Sequence, residues 1–191
     1  MKAGKALKLI REHGLKIDLF PSGKAGVEAK VFLNPITETA WVLAYGTDSA
    51  FDWILHFLPG WGDWIEISYA VALACRIRKM IEEAEIKRLY LYGHSWGGAI
   101  VAIVHEELLE ACPDLEISTT GLGYKKPIAG MLNLSYRNRG DIVPLLTPWR
   151  RGRLYGKRLF GRWKPFWIAH RLSEYIQNLE DVEEVDLTEE A

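Results

Sequence analysis

Apolar and polar positions along this chain switch between the period of a helix and the period of a strand. Residues 2–13 have helical spacing and read as a short amphipathic helix. Residues 17–20 predict an edge strand, ended by Pro21-Ser22-Gly23. The stretches 27–33 and 39–45 predict two strands joined at Asn34-Pro35, where proline marks the turn. Asp63 and Glu66 have the spacing of a capping box, and the helix after them puts Ala70, Leu73, Ala74, Ile77 and Ile81 on one face. A short strand at 89–92 and a helix over 99–109 follow. That helix is apolar all round from Ala99 to Val104, as suits burial against a sheet. Strands are predicted at 115–119 and 132–137, with a loop at Thr120-Gly121-Leu122-Gly123 between them. A strand or hairpin is predicted at 153–160 and a last helix at 169–179. This alternation predicts a compact, mostly parallel sheet with helices on both faces. Residues 180–191 carry seven acidic side chains and predict a solvated, flexible tail, which leaves one domain over 1–179.

One segment carries chemistry. The strand at 89–92 runs into Gly93-His94-Ser95-Trp96-Gly97 and straight on into a helix. Strand, tight turn bearing a serine, helix is the nucleophile elbow of the α/β-hydrolases. A side chain two positions before or after the serine would collide with the neighbouring strand or helix. The helix N-terminus, beginning with the Trp96 N–H, offers donors to a developing oxyanion.

The partners of Ser95 follow from chain order, which in this fold is serine, acid, histidine. Only His105 and His170 come after Ser95. His105 lies ten residues on, inside the apolar helix, with no room for an acid-bearing strand between, and reads as a packed helix residue. His170 remains. Asp114 precedes the strand at 115–119 and falls at the wrong end of the sheet. Asp141 follows the strand at 132–137, at the carboxyl end where α/β sheets place their sites. Asp181 and Asp186 come after His170 and break the order.

These segments resemble the class 3, fungal-type lipases. Leu91-Tyr92-Gly93-His94-Ser95-Trp96-Gly97-Gly98-Ala99 is similar to that family's elbow, and Asp141-Ile142-Val143-Pro144 to its catalytic-acid segment. Ala44-Tyr45-Gly46-Thr47-Asp48-Ser49 resembles its oxyanion loop, and Ala169-His170 with Tyr175 downstream resembles its histidine segment. The matches keep the family's order over residues 40–175. Tyr45 stands where the family has arginine, and Trp96 where it has leucine. The resemblance implies a catalytic triad of Ser95, Asp141 and His170. It implies oxyanion donors at Thr47 and Trp96, and a lid and acyl-pocket rim at Phe51, Trp53 and Phe57. It also implies a lipase or esterase acting on lipid-like acyl esters with no cofactor and no metal. A thioesterase or a phospholipase A would use the same site. The alternative from another class is a binding module on a hydrolase scaffold.

Composition adds bounds. With 191 residues, 49 % of them apolar, the chain suits one domain with a sizeable core. A net charge of −1 gives no global field toward nucleic acid. Cys75 and Cys112 fall in helical segments and read as buried thiols. The N-terminal stretch scatters charges and reads as neither signal peptide nor membrane span, so a cytoplasmic or non-classically released protein is expected. Residues 150–164 hold seven Lys/Arg among Trp149, Tyr155, Phe160 and Trp163, a pattern that fits anionic lipid headgroups, a nucleic-acid patch or an ordinary solvated hairpin paired with the acidic tail.

Overall fold

The computed structural model describes residues 2–17, 28–46, 61–124, 129–145, 153–154 and 157–189. The elements are α1 (Ala3–His13), β1 (Leu15–Ile17), β2 (Ala29–Asn34), β3 (Thr39–Ala44), α2 (Trp61–Glu83), β4 (Arg88–His94) and α3 (Trp96–Ala111). They continue with β5 (Glu116–Leu122), β6 (Met131–Leu132), β7 (Leu134–Asn138), β8 (Arg153–Leu154), β9 (Lys157–Phe160), α4 (Phe166–Ala169) and α5 (Leu172–Glu189).

Seven strands form one sheet in the order β1-β2-β3-β4-β5-β7-β9. β1 and β2 are antiparallel at one edge, and every pair from β3 to β9 is parallel. The β2–β3 turn forms where expected. Asn34 Oδ1 accepts from the Thr37 N–H at 3.3 Å, and Glu38 takes a left-handed conformation (φ 50°) that reverses the chain.

Successive side chains of a strand face opposite ways, and the sheet divides them between two cores. Ala40, Val42, Ala44, Leu89 and Leu91 pack with α2 and α3. Trp41, Leu43 and Tyr92 pack with α1 and with Tyr175, Ile176 and Leu179 of α5. Helices therefore cover both faces, and all six residues of β3 are buried. Among the described residues no helix is long and apolar enough to cross a membrane.

Several expectations are corrected. β5 continues to Leu122, because Thr120-Gly121-Leu122 pairs with β4 and β7 instead of looping. The strand expected at 132–137 is two strands. Leu132 joins β8 in a separate two-stranded sheet, while β7 enters the main sheet. Residues 153–160 do not make a hairpin, since β8 pairs with β6 and β9 with β7. Asp63 lies inside the first turn of a helix that starts at Trp61, and Glu66 is fully buried, so the pair is not the start signal its spacing suggested. Cys75 is exposed, one residue round the helix from buried Ala74. The last helix starts at Leu172 and runs to Glu189, so the acidic stretch continues it as far as that residue.

Candidate active site

The parallel strands end together. In register, Ala44 of β3 lies beside Gly93 of β4, His94 beside Leu122 of β5, and Leu122 beside Tyr136 of β7. The segments leaving these ends carry the candidate residues.

Ser95 sits between β4 and α3 with φ 56° and ψ −121°, a conformation that L residues adopt only where the surroundings impose it. Those surroundings are backbone. A Cβ on Gly97 would strike the carbonyl of Ala44, and a Cβ on Gly93 would strike Gly97 and Gly98. Gly46, in the loop after β3, faces the serine closely. A Cβ there would lie 2.7 Å from Ser95 Cβ and 3.0 Å from both Ser95 Oγ and the Trp96 nitrogen. The β3 loop, the serine and the first N–H of α3 thus share one small space.

Three side chains from distant parts of the chain meet. Ser95 Oγ lies 3.0 Å from His170 Nε2. His170 Nδ1 lies 3.0 Å from Asp141 Oδ2. A carboxylate can only accept, so Nδ1–H donates to Asp141, and Nε2 is left to accept from the serine hydroxyl. Asp141 is 2 % exposed and well supplied with donors. Its Oδ2 also accepts from Tyr175 OH at 2.6 Å, and its Oδ1 accepts from the Val143 N–H at 2.9 Å. Tyr175 OH in turn accepts from the Asn138 N–H at 3.0 Å. Burial, then the Asp141 charge, raises the Tyr175 pKa well above the usual phenol range, so it stays a donor.

The histidine is held by its backbone as well. His170 caps the short helix α4, where carbonyls have no helical partner. Asn138 Nδ2 donates to the carbonyl of Ala169 at 2.8 Å, and His94 Nε2 donates to the carbonyl of His170 at 2.6 Å. The His94 ring also lies 5.0 Å from the His170 ring and 5.9 Å from Tyr175.

Burial, and then the neighbouring His170, push the His94 pKa down to about 4, against smaller opposing effects of its bond to the His170 carbonyl and of Asp141. The unfolded chain therefore binds the extra proton first. The stabilising contribution is complete above pH 6.5, is lost as pH falls toward 4, and changes no further below that. Replacing His94 by Gln keeps an N–H donor and removes the titration. The expected result is that the variant loses about 1–3 kcal/mol less than the parent between pH 7 and pH 4 in denaturant unfolding. Equal losses in both proteins would contradict it.

The structure brings together Ser95, Asp141 and His170, and places Trp96 at the first position of α3. Thr47, Phe51, Trp53 and Phe57 lie outside the described residues. Asp114 is exposed in the turn before β5, at the other end of the sheet. His105 is buried and bonded to Thr119 Oγ1 at 2.6 Å, a packed helix residue as expected. His94, Asn138 and the bond from Tyr175 to the acid are not marked in the sequence. These act through long-range contacts with no local signature. Among the described residues no group of His, Cys, Asp or Glu is arranged to hold a metal ion.

No protein-family model and no curated protein matches the sequence. Solved structures match the fold. The lipase of Rhizopus microsporus var. chinensis aligns with a TM-score of 0.55 at 18 % identity, over 74 % of this chain and 58 % of its own. The triacylglyceride lipase of Rhizomucor miehei aligns with a TM-score of 0.57 at 19 % identity, over 78 % of this chain and 67 % of its own. The fold is that of the fungal triacylglycerol lipases. Lipase II of Rhizopus niveus agrees, with a TM-score of 0.54 at 17 % identity over 74 % of this chain and 63 % of its own. The chain spans only 58 % and 63 % of the length of the two Rhizopus lipases.

Proposed function

We propose that this protein is a serine ester hydrolase of the lipase type. The observation that carries the reading is the continuous line from a positive-φ serine through His170 to a buried aspartate, with both bonds at 3.0 Å. In the proposed reaction Ser95 Oγ attacks an ester carbonyl while His170 Nε2 takes its proton. The carbonyl oxygen becomes an oxyanion, held by the Trp96 N–H and the Thr47 N–H. Collapse breaks the ester bond, and His170 returns the proton to the leaving alcohol. Water then attacks the acyl-serine by the same route and releases the acid. Asp141 holds the imidazole in the productive tautomer and stabilises the imidazolium.

The surface round the site supports a lipid-like substrate. Trp167 (61 % exposed) meets the exposed Phe166 edge-on just before His170, Trp163 (73 %) is exposed a few residues earlier, and exposed Ile142 and Leu145 follow the acid. Exposed Arg162 and Arg171 lie on the same stretch. Exposed tryptophans next to basic residues suit an anionic lipid interface, where the ring sits at headgroup depth.

The expected result is hydrolysis of a water-soluble short-chain ester. The rate should rise again when substrate passes its solubility limit or anionic vesicles are added. Trp167→Ala should reduce that rise severalfold while leaving hydrolysis of monomeric ester near the parent level. Rate against ester concentration through the solubility limit is the measurement. No hydrolysis by the folded protein would overturn the reading. Smooth saturation without a second rise would restrict it to an esterase of soluble esters.

A further inference from the structure

Trp96 carries a backbone N–H at the serine and a side chain that points elsewhere. Its indole Nε1–H donates to Glu66 Oε2 at 3.1 Å. Both residues are buried, Trp96 at 4 % exposure and Glu66 at 0 %. Tyr69, one turn along α2 from Glu66, meets the indole edge-on at 5.5 Å between ring centres. A fully buried carboxyl group on an otherwise apolar helix face is a costly choice unless a partner uses it. The proposed mechanism gives Glu66 no chemistry.

We infer that Glu66 is a positioning residue for the oxyanion site: by fixing the Trp96 indole against α2, it holds the Ser95–Trp96 peptide in the orientation that aims the Trp96 N–H at the developing oxyanion. The inference rests on the proposed ester hydrolysis. Ser95 holds a backbone conformation that relaxes unless several contacts determine it. Glycines on either side remove obstacles, but they do not lock the peptide plane. The Trp96 side chain is attached one bond from that plane, and Glu66 and Tyr69 grip it from two directions. A leucine at this position has no donor for such a carboxyl group, so Glu66 has a use here because residue 96 is tryptophan.

The experiment is steady-state hydrolysis of a soluble p-nitrophenyl ester by the parent, Glu66→Leu, Glu66→Gln, Trp96→Phe and the Glu66→Leu/Trp96→Phe double variant. Thermal unfolding is followed alongside. Glu66→Leu should lower kcat on the order of tenfold to hundredfold with KM little changed, because a misaimed donor is felt in the transition state. Glu66→Gln keeps an acceptor oxygen for the indole and should restore most of kcat. Trp96→Phe keeps the ring packing but has no N–H, so it should repeat the Glu66→Leu loss, and the double variant should be no worse than either. If Glu66→Leu does not fold, Trp96→Phe against Glu66→Gln carries the same comparison. A parent that hydrolyses ester while Glu66→Leu and Trp96→Phe both match it in kcat would overturn the inference and leave the hydrolase reading intact. So would losses that appear only in KM, or that follow melting temperature. A folded parent without hydrolysis would overturn both.

Discussion

Replacing Ser95 or His170 by alanine is expected to remove ester hydrolysis, with a fall in kcat on the order of 10⁶ for each. Ser95 supplies the attacking oxygen, and His170 is the base within 3.0 Å of it. The double variant should be no slower than either single one, because both residues act in one step. Neither change should unfold the protein. His170 Nδ1 gives up one bond to Asp141, which keeps Tyr175 OH and the Val143 N–H as donors, and the loop keeps its hold through the Asn138 and His94 bonds to backbone carbonyls. Initial rates on a soluble ester, with circular dichroism on the same samples, check this. Full activity in His170→Ala together with loss in His105→Ala would reassign the base.

Asp141→Asn carries the next largest expected effect, a fall in kcat on the order of 10⁴. The asparagine has nearly the shape of the aspartate but one N–H₂ in place of an acceptor. Asp141 accepts from His170, Tyr175 and the Val143 backbone, so any orientation of the amide sets a donor against a donor. The loss of charge also removes what stabilises the imidazolium in the transition state. Asp114→Asn, in an exposed turn at the far end of the sheet, should leave kcat unchanged. The same rate assay ranks the two, and the reverse ranking would show the acid to be misassigned.

How much of this was legible in the sequence follows from the range of each constraint. The elbow was readable because its demands are local. Gly93 and Gly97 are required by atoms within a few residues of Ser95 and by the carbonyl of Ala44 in the next strand. The order of serine, acid and base was readable because it follows strand order, and the expected residues lie within hydrogen-bonding distance. β5 was cut short because Thr120-Gly121 reads as a turn. In the sheet the glycine is needed for space, since a Cβ on Gly121 would lie 2.7 Å from Leu132 and 2.8 Å from the Tyr124 ring. The spacing of Glu66 to Asp63 is that of a capping box, yet its carboxylate accepts from an indole 30 positions on. Tyr175 and Asn138 support the acid and the base from a separate helix and strand, 37 residues apart. No periodicity marks such a contact. The last helix passes Leu179 because residues before it, Tyr175 and Ile176, anchor it on the sheet face, and an acidic stretch can continue a helix once its start is packed.

Ester hydrolysis by this protein depends first on Ser95 being an activated nucleophile. Reaction of the folded protein with a fluorophosphonate, read by intact mass and peptide mapping, tests it most directly. The expected product carries one phosphonyl group, on Ser95, absent from Ser95→Ala and formed far more slowly in His170→Ala. A folded protein that takes up no phosphonate, or takes it up equally after Ser95→Ala, would contradict it and leave a binding module built on a lipase fold.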